Sequence, residues 1–190
     1  GDVYKRQGYR VIVLTQQTSL PTPFHPNLRY APWHVKNQTI SEEAILEADI
    51  IIHLAGAGVA DKRWSTTYKK EIADSRIMGG ALLTKTLQRL PHHVKTFISA
   101  SAIGWYGSDK PGQSPFTENN APASDFLGQT CALWEKSVEQ ISEMNIRLCI
   151  LRTGIVLSTE GGALKEFMLP VNMGVVPVLG SGEQIISWIH

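Results

Sequence analysis

The stretch that decides the fold is DIIIHLAGAG, residues 49–58. Its first part, residues 49–54, is a nearly continuous apolar run, which is typical of a β-strand buried on both faces of a sheet. Small residues follow at once, from Ala55 to Gly58, and they predict a tight turn out of that strand. Buried strands of this kind belong to parallel sheets whose faces are covered by helices.

The segments around this strand alternate between predicted strands and predicted helices. Further strands are predicted at residues 10–14, 28–35, 94–99 and 146–152, with Pro32 placing the second of them at an edge or cutting it. Helices are predicted to begin at the capping side chains of Ser41, of Ser65 or Thr66, and of Ser124 or Asp125, and a short one is predicted near residues 164–169. This order predicts βαβ crossovers and therefore a doubly wound parallel sheet of the α/β class.

Composition and charge narrow the kinds of partner. Eighteen Lys and Arg residues against seventeen Asp and Glu leave a net charge of +1. This balance argues against binding to nucleic acid or to a membrane surface. Cys131 and Cys149 form neither a disulfide framework nor a zinc set, so no metal site is predicted. No signal peptide and no apolar stretch of about 20 residues is present, and we expect a cytoplasmic protein.

Six motifs occur in one order along the chain: HLAGAGVADKRW, KKEIADSRIMGG, FISASAIGWYG, FLGQTCALWE, LRTGIVLSTEGGAL and LGSGEQIISWIH. Together they resemble the atypical short-chain dehydrogenase/reductases of the epimerase family, sometimes labelled cell-division-inhibitor-like. That family is related to the extended NAD(P)-dependent sugar-nucleotide epimerases and dehydratases. The resemblance covers essentially all of residues 8–190, and it implies an NAD(P)-binding fold of the Rossmann type.

Both ends of the chain read as interrupted. Residues 1–7 are similar to a translated sequencing-adapter scar, and we expect them to lie outside the fold. The other end stops at His190, inside an apolar run. We therefore expect residues 8–190 to be a partial NAD(P)-binding domain that runs into the start of a substrate-binding portion, truncated at both ends.

Cofactor contacts are expected beyond the carboxyl ends of the strands, where open parallel sheets bind their ligands. The resemblance assigns this role to Thr15, Gln16, Leu54, Ala55, Gly56, Ser99, Arg152 and Thr153. No acidic residue stands at residues 14–17 to hold the ribose 2′-hydroxyl of NAD, which favours NADP while leaving NAD possible. Two alternatives stay open: Ala55 and Gly56 can form a plain turn, and Arg152 can pair with a surface acid.

Ser101 and Tyr106 are the candidate catalytic residues. The resemblance aligns Ser101 with a Ser or Thr that hydrogen-bonds a substrate oxygen, although Ser101 can equally satisfy local backbone groups. Active short-chain reductases use a Tyr and a Lys four residues apart on one helix, and here Leu127 and Cys131 stand at those positions. Tyr106 and Lys110 have the same spacing, but they lie in a turn-rich segment and do not share a helix face. Tyr106 alone can still reach the site from its loop.

Two functions remain open from the sequence. The first is an NADP(H)-dependent oxidoreductase or epimerase-like enzyme that acts on an unidentified small molecule. The second is a dinucleotide-binding sensor or regulatory protein with little or no turnover. Ser101, Tyr106 and Arg152 favour the enzyme, whereas the missing Tyr/Lys pair favours the sensor.

Overall fold

The computed structural model describes residues 8–109, 112–159, 162–176, 178, 182 and 185–189. Residues 1–7, Lys110 and His190 lie outside the described residues. In chain order the elements are β1 (Val11–Thr15), β2 (Leu28–His34), β3 (Thr39–Ile40), α1 (Glu42–Leu46), β4 (Ile50–His53), α2 (Thr66–Arg89), β5 (Thr96–Ala102), α3 (Phe126–Val138), β6 (Arg147–Thr153), β7 (Ile155–Val156), α4 (Ala163–Asn172) and β8 (Trp188–Ile189).

The described strands form two three-stranded sheets and one two-stranded sheet. In the sheet β4-β5-β6 every pair is parallel, and α2 and α3 carry the chain from each strand to the next. In the sheet β1-β2-β3 the first pair is parallel and the second antiparallel, while β7 and β8 pair in parallel. Parallel neighbours joined by helices confirm the predicted Rossmann-type α/β fold.

β2 continues through Pro32 instead of being cut there. Pro32 is aligned with Thr15, the last residue of β1, whereas β3 pairs only with Trp33 and His34 further along. Proline has no backbone N–H to contribute to a ladder, but its carbonyl oxygen accepts a hydrogen bond from the backbone N–H of Ser41 at 3.0 Å. The proline therefore lies where the strand changes partner, and the missing donor does not end the strand.

The helices α1, α2 and α3 each begin, as predicted, at a capping side chain that accepts a hydrogen bond from a backbone N–H of the first turn. The capping residues are Ser41 for α1, Ser65 for α2 and Asp125 for α3. α4 is longer than predicted and contains Pro170. None of the helices within the described ranges is long and apolar enough to cross a membrane.

The core lies between the sheet β4-β5-β6 and the helices α2 and α3. Phe97 of β5 and Val138 of α3 are fully buried there beside Leu83 of α2. The two helices approach closely at Gly80, where an added Cβ would lie 2.1 Å from the Ser137 hydroxyl oxygen. A larger residue at position 80 would push the helices apart, so the glycine sets their separation.

The two faces of β4 differ, although the sequence predicts a strand buried on both. Ile51 and His53 face the helices and are buried. Ile50, Ile52 and Leu54 point to the other face and are 53%, 41% and 70% exposed. Both α2 and α3 pack on the first face, so the second face stays open within the described chain.

Candidate functional site

The site is built around two side chains on neighbouring strands. β5 continues three residues beyond its predicted end, because its ladder with β6 reaches the pair Ala102 and Thr153. Ser101 and Arg152 are therefore directly paired in register. Side chains at paired positions point to the same face of a sheet, and here that face is covered by α3.

Glu135 of α3 joins these two side chains. The Ser101 hydroxyl donates to Oε1 of Glu135 at 2.6 Å. The Arg152 guanidinium donates to both carboxylate oxygens, from Nε at 2.9 Å and from Nη2 at 3.0 Å. The two charged side chains are only 11% and 16% exposed, so this is a largely buried bidentate ion pair. The hydrogen bond to Glu135 raises the pKa of Arg152 above its ordinary value, and the guanidinium stays charged.

Tyr106 occupies the far side of the same guanidinium. Arg152 Nη1 donates to the phenol oxygen of Tyr106 at 3.1 Å and to the backbone oxygen of Glu118 at 3.0 Å. The guanidinium also lies over the ring of Trp105, 3.7 Å from its centroid. The Tyr106 ring stacks on Phe116 at a centroid distance of 4.9 Å. One arginine thus ties the sheet to the loop that follows β5.

The two candidate hydroxyls differ in their access to a ligand. Ser101 is 2% exposed and its hydrogen is engaged by Glu135. Tyr106 is half-buried, its oxygen accepts from Arg152, and no acceptor for its hydrogen occurs in the described part of the chain. A phenol has one hydrogen to donate, so that hydrogen is available to a ligand.

The positions of the usual Tyr/Lys pair lie close to this site but carry apolar side chains. An added Cβ on Gly104 would lie 3.1 Å from the Cβ of Leu127 and 3.8 Å from the Sγ of Cys131. The Cys131 thiol contacts the backbone oxygen of Ala102 at 3.7 Å, and burial raises its pKa. Neither residue provides an acid or a base, as the sequence predicts.

The turn after β4 is held by Arg76 of α2. Arg76 Nη1 donates to the backbone oxygen of Ala57 at 2.9 Å, and an added Cβ on Gly56 would lie 2.9 Å from the Arg76 Cζ. A side chain at position 56 would displace this arginine from the turn. Ala55 is half-buried, while Leu54 and Gly56 are exposed at the end of the strand. This geometry supports the turn interpretation of these residues and leaves their outer side open.

The other predicted cofactor residues are distributed over both sheets. Ser99 is fully buried and its hydroxyl donates to the backbone oxygen of Ala100. Thr153 donates to the backbone oxygen of Ser101 at 3.1 Å. Thr15 ends β1 in the other three-stranded sheet and Gln16 follows it; the Thr15 hydroxyl accepts from the backbone N–H of Gln17. The structure therefore brings Ser99, Ser101, Arg152 and Thr153 together, and places Thr15 and Gln16 at the end of a strand of the other sheet.

Sequence reasoning did not single out Glu135 and Arg76 as site residues. A signal for Glu135 was present, because it continues the stripe of Leu127 and Cys131 at a spacing of four on α3. A carboxylate on a buried stripe needs a cationic partner, and the predicted strand end at Arg152 supplied one. Arg76 carried no such signal, since its acceptors are backbone oxygens.

His53, the last residue of β4, is a buried imidazole beside the site. It is 3% exposed and lies edge-on to the rings of Trp33 and Trp134, and its Nε2 has no hydrogen-bond partner among the described residues. Burial lowers the pKa of His53 from 6.5 to about 4, with the positive charge of Arg76 adding to the effect. The imidazole is neutral in the folded protein at neutral pH.

We expect His53 to make the folded protein less stable in acid. His53 binds a proton near pH 6.5 in the unfolded chain but only near pH 4 in the folded chain. The free energy of unfolding is therefore unaffected above pH 6.5 and decreases as the pH falls from 6.5 to about 4. The loss amounts to about 3 kcal/mol at pH 4. Urea unfolding of full-length protein between pH 4.5 and 7.5 measures it, with His53→Leu as the comparison. Equal pH slopes in the two proteins would show that His53 does not cause the effect.

The fold and the polar side chains at the ends of β5 and β6 together define a Rossmann-type protein of the dinucleotide-binding class. The sequence matches the NAD dependent epimerase/dehydratase family over residues 2–190, and the chain belongs to that family. No group of His, Cys, Asp or Glu suited to hold a metal ion occurs among the described residues.

Several known proteins are similar to this chain. An epimerase family protein of Staphylococcus saprophyticus is 36% identical over 180 residues, which cover 95% of this chain and 58% of that protein. The epimerase family protein YfhF of Bacillus subtilis is 34% identical, with coverages of 99% and 60%. The chain thus spans about 60% of the length of these relatives. The human epimerase family protein SDR39U1, solved with NADPH, has a TM-score of 0.80 at 23% identity and covers 100% of this chain and 60% of its own, which shows a shared fold.

Proposed function

We propose that this chain supplies the NADP(H)-binding part of an oxidoreductase or epimerase-like enzyme that acts on a small molecule. The observation that carries the proposal is Tyr106, whose oxygen is held by Arg152 and whose hydrogen is available at the site. The description of the matching family as NAD dependent and the NADPH in the human structure support the class of cofactor.

The residues present fit a phosphorylated dinucleotide. The end of β1 offers the Thr15 hydroxyl and the exposed amides of Gln16 and Gln17, with no carboxylate to repel a 2′-phosphate. The outer side of the turn at Ala55 and Gly56 is open to a flat ligand. When bound, the nicotinamide supplies or removes a hydride at a substrate carbon.

In this proposal Tyr106 handles the proton that accompanies the hydride. During reduction of a carbonyl group the Tyr106 hydroxyl would give its proton to the carbonyl oxygen. The Arg152 guanidinium stays on the Tyr106 oxygen and stabilises the negative charge left there, and water restores the proton. Ser101 is the second candidate for the proton donor. Its hydroxyl can contact a substrate only if it leaves Glu135, so we rank it below Tyr106.

The test of this function uses full-length protein, extended to the length of the relatives. NADPH consumption is followed with a panel of aldehydes, ketones and the diketone 9,10-phenanthrenequinone. The enzyme function predicts turnover with at least one of them that depends on Tyr106. Tight NADPH binding without turnover on any carbonyl would favour the sensor, which the apolar Leu127 and Cys131 also favour.

The absence of an acid at the end of β1 leads to a prediction about cofactor choice. We expect full-length protein to bind NADPH several-fold more tightly than NADH, because Gln16 and Gln17 hydrogen-bond a phosphate without repelling it. Titration calorimetry with both cofactors measures the preference. Gln16→Asp is the matched change, since its carboxylate repels the phosphate and should lower affinity for NADPH alone. Tighter binding of NADH by the unchanged protein would contradict the prediction.

A further inference from the structure

The arrangement behind Tyr106 assigns a role to two residues that touch no substrate atom. In the usual reductase site, a lysine one helical turn from the tyrosine provides the positive charge. Here Cys131 stands at the lysine position and is buried and uncharged. The cation that contacts the Tyr106 oxygen within the described residues comes from a different element, because Arg152 belongs to β6.

Arg152 is almost fully engaged by its neighbours. A guanidinium has five N–H donors. Nε and one N–H of Nη2 go to Glu135, and Nη1 donates to Tyr106 and to the backbone oxygen of Glu118. A guanidinium committed in this way holds its neighbours in place and has little capacity left to capture an anionic ligand.

Glu135 determines where this guanidinium lies. Its carboxylate accepts two donors from Arg152 and one from Ser101, which reaches it from the neighbouring strand. A bidentate pair fixes both the position and the plane of the guanidinium. That plane directs Nη1 at the Tyr106 oxygen, so the carboxylate acts on the phenol through the arginine.

We propose that Glu135 and Arg152 are positioning residues that replace the missing lysine and hold the Tyr106 hydroxyl in its working orientation. Ser101 holds the Glu135 carboxylate by a hydrogen bond from β5. The inference rests on the proposed role of Tyr106 in proton transfer, but the geometry it claims has a test that needs no turnover.

The first experiment uses NMR to measure the environment of the Tyr106 hydroxyl. Full-length protein is labelled with ¹³C at the ζ carbon of tyrosine, and the Tyr106 signal is identified by its loss in Tyr106→Phe. We expect Glu135→Gln to shift the Tyr106 signal while those of Tyr30 and Tyr68 stay in place, because the guanidinium moves off the phenol. Glu139→Gln removes the same charge from an exposed position at the end of α3 and should shift none of them. An unmoved Tyr106 signal in Glu135→Gln would overturn the inference.

The second experiment measures turnover of 9,10-phenanthrenequinone with NADPH. We expect Glu135→Gln to lower kcat at least tenfold with little change in KM for NADPH, and Arg152→Lys to do the same because an ammonium cannot bridge Glu135 and Tyr106. Combined with Tyr106→Phe, Glu135→Gln should cause no further loss, since residues that act through one group are not additive. A full further loss in the double variant would refute action through Tyr106.

The two experiments separate the two proposals. If the wild-type protein oxidises no NADPH with any of the carbonyl compounds, the enzyme function is contradicted. The positioning role is then decided by the NMR signal of Tyr106 alone. A shifted Tyr106 signal would support that role, and an unshifted one would end it.

Discussion

If the proposed function holds, Tyr106→Phe is expected to lower kcat of the full-length protein by about 10²-fold or more, the usual effect of losing a positioned proton donor. The variant keeps the ring that stacks on Phe116 at 4.9 Å and removes only the oxygen that accepts from Arg152. NADPH affinity should therefore change little. Steady-state kinetics with 9,10-phenanthrenequinone and calorimetry with NADPH give the two numbers.

Ser101→Ala is the informative companion to that variant. A serine that donated directly to a reacting oxygen would cost about 10²-fold when removed. The Ser101 hydroxyl is instead buried and bound to Glu135, so we expect a smaller loss than for Tyr106→Phe. If Ser101→Ala were the slower variant, Ser101 would be the group in contact with the substrate and Tyr106 would lose its assigned role.

Residues 1–190 expressed alone are expected to aggregate, and for that reason to show no NADPH binding, since an aggregated chain presents no folded cofactor site. Ile50 and Ile52 of β4 form an exposed apolar row with Leu54, which follows the strand, and within the described chain β1 and β4 each pair with a strand on one side only. Open edges and apolar rows associate with other chains. Each Å² of apolar surface left exposed loses about 25 cal/mol of stabilisation that burial would give, and the total free energy of unfolding of a domain is only about 5–15 kcal/mol.

Thermal unfolding with and without NADPH tests this expectation, with a chain of the relatives' length as the control. Light scattering reports the aggregation. A cooperative transition in residues 1–190 whose midpoint rises with added NADPH would contradict the expectation, because it would show that the exposed apolar row is tolerated.

Much of the fold was predictable because its signals are local. The apolar run at residues 49–54, the caps at Ser41, Ser65 and Asp125, and the alternation of strands and helices all act within a few residues. The extents of two strands were predicted wrongly, and both errors come from the pairing between strands. β2 passes through Pro32 and β5 continues to Ala102, because the partner strand decides where a strand ends, and the partner is remote in sequence.

The site was less predictable, since its geometry depends on contacts between distant segments. The sequence indicated Ser101, Tyr106 and Arg152 as polar residues near strand ends, but not what they bind to. The structure shows that Ser101 points at Glu135 and that Arg152 is shared between that carboxylate and Tyr106. Only the register of β5 with β6 and the packing of α3 bring these groups together.

The ion pair at Glu135 also bears on the order in which the chain folds. Its bonds join residues far apart in sequence: Ser101 lies 34 positions from Glu135, and Tyr106 lies 46 positions from Arg152. Closing such loops costs chain entropy that local helices and turns do not pay, so these bonds form after the sheet is built. The arrangement that the proposed function requires is then completed late in folding, and recovery of any NADPH turnover after dilution from urea should lag behind recovery of helical circular dichroism.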